Sequence, residues 1–403
     1  MSIFIALVGL GFLILVHEAG HFFASLAVGL RPRRFYVGFP PAIVRYKRRG
    51  IEYGLGAVPL GGFVSIPGMH RPIPHDAERR FTRAVSEAPA LAGPFDRVRR
   101  GLDGEDPHAA LPALDEFDEA LRAREVSGDA RRSAEKGLTE LRDALGSDAY
   151  WKAPTWKRLV AIVAGPGANV VLAIVLLTAL YMTSAGKVIP VVASVDAGSR
   201  AEQMGLQPGD RVLAIDGSKI DRAEDIPDRI RESEGNEIVV VVRRDGEETT
   251  LGPIAPKPVE GGYRLGFTLK GVALGPVDAF GKSLEVTGLV TVEIAKSLGR
   301  LAVGEGRQDI ASPIGITQVS SDAVERGAES YLMVLALISL SLALLNLLPL
   351  LPLDGGHILF ALLEGARGRI VKREVYERVS VIGLALVLLL FFIGVSNDIG
   401  RLS

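Results

Sequence analysis

The sequence predicts a mainly α-helical polytopic membrane protein with four transmembrane helices, a membrane-associated β-hairpin and a small extracytoplasmic α+β domain. Three observations support this fold class. The chain has 403 residues, 48% of them hydrophobic, and its apolar residues are concentrated in blocks. Lysine and arginine crowd at the ends of these blocks. One segment between two blocks instead alternates β-branched runs with turn signals.

Four apolar blocks are long enough to cross a bilayer, which takes about 20 residues of helix. They are residues 3–30, 159–182, 331–352 and 379–395. The first is interpreted as a retained span because no lysine or arginine precedes it, as a signal peptide would require. The sequence therefore predicts a multi-pass protein of the inner (plasma) membrane, with the lipid bilayer as its surroundings.

Basic residues predict the orientation of these spans. They follow the first span, precede the second and lie between the third and fourth. Cytoplasmic loops carry such an excess of lysine and arginine, so these three regions are predicted to be cytoplasmic. Both termini and the segment between the second and third spans are then extracytoplasmic.

That outer segment contains a predicted domain at residues 187–272. Its residues 199–217 include a Gly-Leu-x-x-Gly-Asp turn that leads into a strand, and they resemble a bacterial PDZ domain. The resemblance implies an extracytoplasmic PDZ domain that binds peptides by strand addition. Gly266 and its neighbours are candidates for the peptide-binding edge.

Two cytoplasmic regions lie between the first two spans. Residues 54–67 alternate small and β-prone side chains, which predicts a hairpin or strand that dips toward the membrane. Residues 76–148 mix charges of both signs with leucines at helical spacing, which predicts amphipathic helices. These helices are either a solvated insertion or a regulatory, partner-binding element. Glycine and proline near Gly93-Pro94 and at 101–107 predict a loosely ordered connector.

We therefore divide the chain into eight predicted segments. They are 1–30 (transmembrane helix 1), 31–70 (membrane-associated β region), 71–150 (charged helical insertion), 151–186 (transmembrane helix 2), 187–272 (PDZ domain), 273–330 (extracytoplasmic amphipathic helical region), 331–357 (transmembrane helix 3) and 358–403 (cytoplasmic loop and transmembrane helix 4).

The first span carries the strongest chemical motif, His17-Glu-Ala-Gly-His21. Residues i and i+4 of a helix share a face, so both imidazoles can bind one Zn²⁺ while Glu18 acts as general base. A charged side chain near the centre of a span costs about 2.5–3.5 kcal/mol, so such groups are functional by default. A purely structural polar cluster is the alternative.

A catalytic zinc site needs a third protein ligand. His70, His75 and His108 belong to the cytoplasmic region and are predicted to be solvated. The third span ends in Asn346-Leu-Leu-Pro-Leu-Leu-Pro-Leu-Asp-Gly-Gly, where the prolines and glycines break the helix. Asp354 at this break is the predicted third ligand. The second span contains Gly165-Pro-Gly-Ala-Asn169, which places an amide at comparable depth.

Together these motifs resemble the site-2 protease family of intramembrane zinc metalloproteases, in its bacterial PDZ-containing branch. The resemblance covers most of the chain but leaves out residues 76–148. It implies that His17, His21 and Asp354 bind Zn²⁺ and that Glu18 is the general base. It also implies that Asn169 and Asn346 align substrate or stabilise the reacting carbonyl. The implied reaction is regulated intramembrane proteolysis of single-span membrane proteins, often anti-sigma factors.

An intact substrate helix has its carbonyls hydrogen-bonded internally, so cleavage requires an unwound, extended segment. We hypothesise that the strand containing Gly61 and Gly62 pairs with that segment. An ordinary cytoplasmic hairpin is the alternative for this region.

Composition and motif content exclude several other functions. The chain has no cysteine, which excludes disulfides, thiolate ligands and cysteine nucleophiles. A net charge of −1 and the absence of a single basic patch give no indication of nucleic-acid binding. A catalytically inactive PDZ membrane scaffold is the main rival function. A zinc-dependent transporter is a weaker one, because four spans without an inverted repeat do not fit it.

Overall fold

A computed structural model describes residues 1–104, 106–183, 186–259 and 262–402. Its helices are α1 (Ser2–Ala27), α2 (Pro74–Glu87), α3 (Ala92–Asp103), α4 (Ala110–Arg122), α5 (Gly128–Leu145), α6 (Thr155–Tyr181), α7 (Arg200–Gln203), α8 (Asp225–Glu232), α9 (Pro276–Ala302), α10 (Pro313–Arg326), α11 (Ala328–Asn346), α12 (Asp354–Arg367) and α13 (Arg373–Leu402). Its strands are β1 (Arg34–Arg48), β2 (Ile51–Ser65), β3 (Lys187–Val195), β4 (Arg211–Ile215), β5 (Ser218–Lys219), β6 (Ile238–Arg244), β7 (Glu247–Ile254), β8 (Lys257–Val259), β9 (Gly262–Arg264) and β10 (Phe267–Val272).

Four of the described helices are long and apolar enough to span a membrane. They are Ser2–Ala27, Thr155–Tyr181, Ala328–Asn346 and Arg373–Gly400. Each overlaps one predicted span, so the prediction of four transmembrane helices is confirmed at this level. The third apolar block extends to Pro352, but its helix ends at Asn346, at the start of the segment in which the prolines and glycines were predicted to break it. A residue before proline is disfavoured in helical conformation, and Pro349 follows closely.

The prediction of a loop directly after residue 357 was wrong. A further helix, α12, runs from Asp354 to Arg367. An acidic residue in the first turn suits the positive end of the helix dipole, and Asp354 occupies that turn. Gly368 ends the helix in a left-handed conformation with φ of +63°.

By its internal contacts the chain divides into two units, residues 1–172, 291–325 and 337–403 in one and 173–290 and 326–336 in the other. In the first unit, β1 and β2 form an antiparallel sheet that folds back on itself. Phe35 of β1, for example, pairs with Tyr53 on one side and with Val64 on the other. The predicted β-hairpin is therefore present, and its last segment, Gly62 to Ser65, forms one edge of the sheet.

The helical insertion, α2 to α5, belongs to the same unit and has its own apolar core. Phe81 and Phe117 stack in this core with ring centroids 4.3 Å apart, and both are fully buried. The predicted loosely ordered connector was wrong, since Gly93-Pro94 lies inside α3. Gly101 also lies in α3, where a Cβ would come 2.6 Å from Ala110 Cα. This glycine permits close packing of α3 on α4. Within the predicted connector at 101–107, Glu105 lies outside the described residues.

The second unit contains an antiparallel sheet in the order β10-β3-β4-β6-β7, with β5 paired to β4. Inward-facing apolar side chains of this sheet pack with those of α7 and α8 to form one core, which includes Val212, Ile226 and Val240. The turn before β4 is fixed by Asp210, whose carboxylate accepts a hydrogen bond from Gln207 N at 2.9 Å. Residues 187–272 thus form an α+β domain, and its likeness to a PDZ domain stays a prediction.

Candidate metal centre

The candidate metal centre begins with the helical spacing of His17 and His21 on α1. Both side chains are buried, each 7% exposed, although the helix as a whole is long and apolar enough to lie in a membrane. Their Nε2 atoms are 3.2 Å apart. The i, i+4 spacing therefore produces the convergence that the sequence predicts.

Asp354 completes a triangle with the two imidazoles. Its Oδ2 atom lies 3.2 Å from His17 Nε2 and 3.2 Å from His21 Nε2. Two ligand atoms that each lie about 2.0–2.1 Å from a tetrahedral zinc ion are separated by about 3.3 Å. The three donor atoms therefore have the spacing that one zinc ion requires, and they form a group able to hold a metal.

The hydrogen bonding of His21 supports the same conclusion. His21 Nδ1 lies 2.9 Å from the carbonyl oxygen of Ala161 on α6. Because a carbonyl only accepts, Nδ1 carries the proton and Nε2 presents a lone pair toward Asp354. The lone pair of His21 Nε2 and the Asp354 carboxylate therefore repel one another, and a cation between them removes this repulsion.

Asp354 reaches the two histidines because the chain between α11 and α12 packs tightly. A Cβ at Gly355 would meet the carbonyl oxygens of Leu347 and Leu348 at 2.2 Å each. A Cβ at Gly383 on α13 would lie 1.7 Å from the carbonyl oxygen of Leu351. These glycines bury the non-helical backbone within protein, which is the condition under which it is tolerated at membrane depth.

Glu18 lies between the two histidines in sequence and faces the sheet edge. A Cβ at Gly62 would come 2.1 Å from Glu18 Cγ and 3.0 Å from Glu18 Oε1. The backbone of the strand at Gly62 therefore lies so close to Glu18 that a side chain at this position would overlap it. The neighbouring Gly61 has φ of +126°, a conformation that favours glycine.

Comparison with known proteins identifies the family to which the chain belongs. The model of peptidase family M50 matches residues 5–390. This chain belongs to peptidase family M50. Three relatives are similar over nearly their whole length. They are the zinc metalloprotease RasP of Bacillus licheniformis (29% identical over 97% of each chain), the regulator of sigma-W protease RasP of Bacillus subtilis (29% identical over 97% of this chain and 96% of the relative) and the zinc metalloprotease RasP of Shouchella clausii (28% identical, with the same coverage as the second).

Membership in the M50 family confirms the resemblance to site-2 proteases and the reading as a zinc metalloprotease. Four apolar helices together with this family indicate a multi-pass membrane protein. The zinc in the relatives' names and the triangle of His17, His21 and Asp354 agree on the expected metal.

The two predicted asparagines of this M50 peptidase differ in their surroundings. Asn169 is fully buried on α6, and neither its Oδ1 nor its Nδ2 has a hydrogen-bond partner in the described structure. Its main-chain oxygen accepts a hydrogen bond from Ser339 Oγ at 2.9 Å. Asn346 instead donates from Nδ2 to the Leu342 carbonyl of its own helix at 3.0 Å. Of the two amides, that of Asn169 is the one left with both polar atoms unsatisfied.

Sequence reasoning missed the residues of α6 that surround His21. A Cβ at Gly165 would lie 2.2 Å from His21 Nε2. A Cβ at Gly20 of α1 would lie 2.3 Å from the Ala164 carbonyl. The two helices therefore cross at small residues, as closely packed membrane helices do. The glycine at the start of the Gly165-Pro-Gly motif was the available signal of close packing. The sequence alone does not show that the residue packed against it is His21.

The prediction of a solvated His70 was wrong. Its ring packs edge-on against Tyr376 with centroids 4.2 Å apart, and burial followed by the charge of Arg373 lowers the pKa of His70. Tyr376 also hydrogen-bonds His357 Nδ1. These side chains line a cavity of about 460 Å³ near the end of α12. His75 and His108 are exposed, as predicted.

Proposed function

We propose that this M50 peptidase is an intramembrane zinc endopeptidase that hydrolyses peptide bonds within or near the transmembrane segments of single-span membrane proteins. The observation that carries the proposal is the 3.2 Å triangle of His17, His21 and Asp354, built on a helix able to span the bilayer. A soluble substrate has no need of a site built into such a helix. Ionisable groups at membrane depth mark functional sites.

His17, His21 and Asp354 are the proposed zinc ligands, and Glu18 is the proposed general base. Zinc, when bound, supplies a Lewis acid that polarises the scissile carbonyl and makes water more acidic. Glu18 accepts the proton of the attacking water and returns it to the leaving amine. The Ala161 carbonyl holds His21 in the tautomer that binds metal through Nε2. Asn169 and Asn346 are proposed to orient the reacting segment, and the unsatisfied amide of Asn169 supports this for that residue.

The edge formed by Gly62 to Ser65 is the proposed docking strand for the unwound substrate. It pairs with β1 residues on one side, at Val37↔Gly62 and Phe35↔Val64. The contact between Gly62 and Glu18 brings this edge to the proposed base. A substrate added as a further strand would place its peptide bonds along the proposed base and zinc ligands. Replacing Gly61 and Gly62 by proline should abolish cleavage, and unchanged cleavage would exclude strand pairing there.

Substrate selection is assigned to the α+β domain at 187–272, which is proposed to be a PDZ domain. This domain and both chain termini are proposed to lie on the outer side of the inner membrane. Such a domain would act as a size filter or read a newly exposed C-terminus. One relative is named as a regulator of sigma-W protease. Single-span anti-sigma factors are accordingly the proposed substrate class, and the reaction is proposed to be regulated intramembrane proteolysis. Deleting 189–270 should loosen selectivity and leave zinc bound, whereas loss of all cleavage would contradict a filter.

Cleavage in reconstituted membranes tests the proposal. A tagged single-span substrate is incubated with the intact protein and with Glu18→Gln, and zinc is quantified in both. We expect the intact protein to cut, and the variant to bind zinc without cutting. Equal cleavage by both would remove Glu18 from the mechanism. Absence of cleavage across a panel of substrates would instead favour the PDZ scaffold.

A further inference from the structure

The hairpin that joins β1 to β2 ends in a tip that we define as residues 43–50. Arg49 and Gly50 form its two-residue turn with φ of +50° and +82°, the backbone of a type I′ turn. Val44 pairs with Leu55 and Tyr46 pairs with Tyr53. Side chains of directly opposed residues lie on one face of a sheet, so these four share a face.

This apolar face is tied to the first membrane helix. The Phe22 ring of α1 contacts Phe35 at 5.0 Å and Tyr53 at 6.0 Å between centroids, both edge-on. Beyond this aromatic cluster the face is open. Val44, Tyr46 and Leu55 are 63%, 64% and 50% exposed. The apolar surface thus continues from α1 outward to the tip without a protein partner in the described structure.

The tip also carries an uncompensated positive charge. Its basic side chains are all exposed, and none forms an ion pair among the described residues: Arg45, Lys47, Arg48 and Arg49. Glu52 is the carboxylate opposite Lys47 in the register. It accepts a hydrogen bond from Tyr36 and lies 3.8 Å from Arg34, so it is already engaged.

We propose that this hairpin tip binds anionic phospholipid headgroups in the membrane leaflet that it faces. Exposed aliphatic and aromatic side chains enter the boundary between headgroups and acyl chains. Side chains alternate along a strand, so Arg48 shares the apolar face, whereas Arg45 and Lys47 project from the opposite face. The long stems of these residues let their charged ends reach headgroup level. A negatively charged headgroup neutralises the tip, whereas a zwitterionic headgroup brings no net charge. The binding selects lipid by charge and does not depend on the proposed peptidase chemistry.

The absence of cysteine in the chain allows a site-specific test on the full-length protein. Ile43→Cys, at a position 66% exposed, is labelled with an environment-sensitive fluorophore. The protein is reconstituted in phosphatidylcholine bilayers that contain about 30% phosphatidylglycerol. Quenching of the fluorophore by spin-labelled phosphatidylglycerol is compared with quenching by spin-labelled phosphatidylcholine. We expect phosphatidylglycerol to quench about twofold more strongly, and the preference to fall in high salt.

Two charge-matched variants decide the outcome. The tip variant replaces its four cations by glutamine, Arg45→Gln, Lys47→Gln, Arg48→Gln and Arg49→Gln. The control removes four exposed cations of the second unit that likewise form no ion pair among the described residues, Lys187→Gln, Arg211→Gln, Lys257→Gln and Lys270→Gln. Loss of the preference in the tip variant and its retention in the control support the proposal. Equal quenching by both lipids in the unmodified tip, or a preference that survives in the tip variant, overturns it.

Discussion

Gly62 and Glu18 are in such close contact that a methyl group at position 62 would overlap the Glu18 side chain, 2.1 Å from its Cγ. The edge strand and the proposed general base therefore determine each other's position. A glycine at 62 lets a strand reach the base without displacing it. A catalytic group misplaced by about 1 Å can lose about 100-fold in rate.

The first prediction follows from that contact. Gly62→Ala should lower kcat for a single-span substrate by about 100-fold, because the new Cβ displaces the Glu18 carboxylate. Zinc content should stay unchanged, since Glu18 is not among the proposed ligands. Gly11→Ala on the same helix as Glu18 is the control, because a Cβ there meets no atom within 4 Å. A Gly62→Ala variant as active as the control would show that Glu18 does not depend on this contact.

Gly165→Ala should act on metal binding. Its Cβ would lie 2.2 Å from His21 Nε2, so the ring must turn away from His17 and Asp354. We expect zinc affinity to fall by about 10- to 100-fold, the range seen when groups that orient a ligand are changed. Metal analysis after dialysis against a zinc buffer measures it. Gly167→Ala is the matched control on the same helix, where a Cβ meets nothing within 4 Å. Equal zinc content in both variants would contradict the assignment of His21 as a ligand.

The contrast between these residues shows how far sequence could predict the site. The pairing of His17 with His21 depends only on helical spacing, which is local, and the structure confirms their convergence. Asp354 was predicted because prolines and glycines break the third span, and the structure brings it to both histidines. Gly165 and Ala161 were missed because their role depends on how α6 packs against α1, which no periodicity encodes.

In the fold, too, features that depend on local spacing were predicted, and some that depend on the wider context were not. Leucines at helical spacing predicted the helices of the insertion, and α4 and α5 lie where these repeats occur. Gly93-Pro94 was wrongly predicted to lie in a loosely ordered connector. Pro94 lies in the first turn of α3, where a backbone N–H has no partner within the helix, so proline is tolerated there. Helix α12 was missed because the residues from 358 onward were assigned to a loop between two spans. Local propensity alone could not show that the chain resumes a helix after its break.

Stability of the α+β domain should depend on Asp210. Its buried carboxylate receives hydrogen bonds from Arg244 Nε at 2.8 Å and Nη2 at 2.7 Å. Asp210→Asn should destabilise the domain by about 2 kcal/mol, as expected for hydrogen bonds to a charged group. Hydrogen exchange of β4 and β6 in the full chain measures this. The control is Asp221→Asn, whose partner Lys219 is exposed, and an equal effect in both variants would contradict the prediction.

The same carboxylate gives the stability of the domain a pH dependence. Burial opposes ionisation of Asp210, but hydrogen bonds from Arg244 and from Gln207 N outweigh it and lower the pKa. A carboxylate with a lowered pKa stabilises the fold above its unfolded pKa, about 3.9, and this stability is lost as the pH falls through the lower folded value. Asp210→Asn should therefore differ from the unmodified chain by a constant amount from about pH 7 to pH 5, and by less below about pH 4. A difference that grows on acidification would refute this sign.

Asp398 near the end of α13 provides the last prediction, because it caps a different helix. Its Oδ2 accepts hydrogen bonds from Ser312 N at 2.8 Å and Gly315 N at 3.0 Å, at the start of α10. The side chain is 3% exposed, and a Cβ at Gly315 would lie 2.6 Å from its Oδ1. These contacts from a distant part of the sequence add to a local cap, in which Ser312 Oγ accepts a hydrogen bond from Ile314 N at 3.1 Å.

Asp398→Ala should therefore fray the first turn of α10, at a cost of about 1–2 kcal/mol for a lost helix cap. Amide hydrogen exchange at residues 312–316 should accelerate by about 5- to 30-fold, while exchange in α2 to α5 stays unchanged. Glu305→Ala, an exposed carboxylate in the segment before α10, controls for the loss of one negative charge. Unaltered exchange at 312–316 would mean that α10 begins without this cap. Acceleration across the whole chain would mean instead that Asp398 supports the fold as a whole and not one helix end.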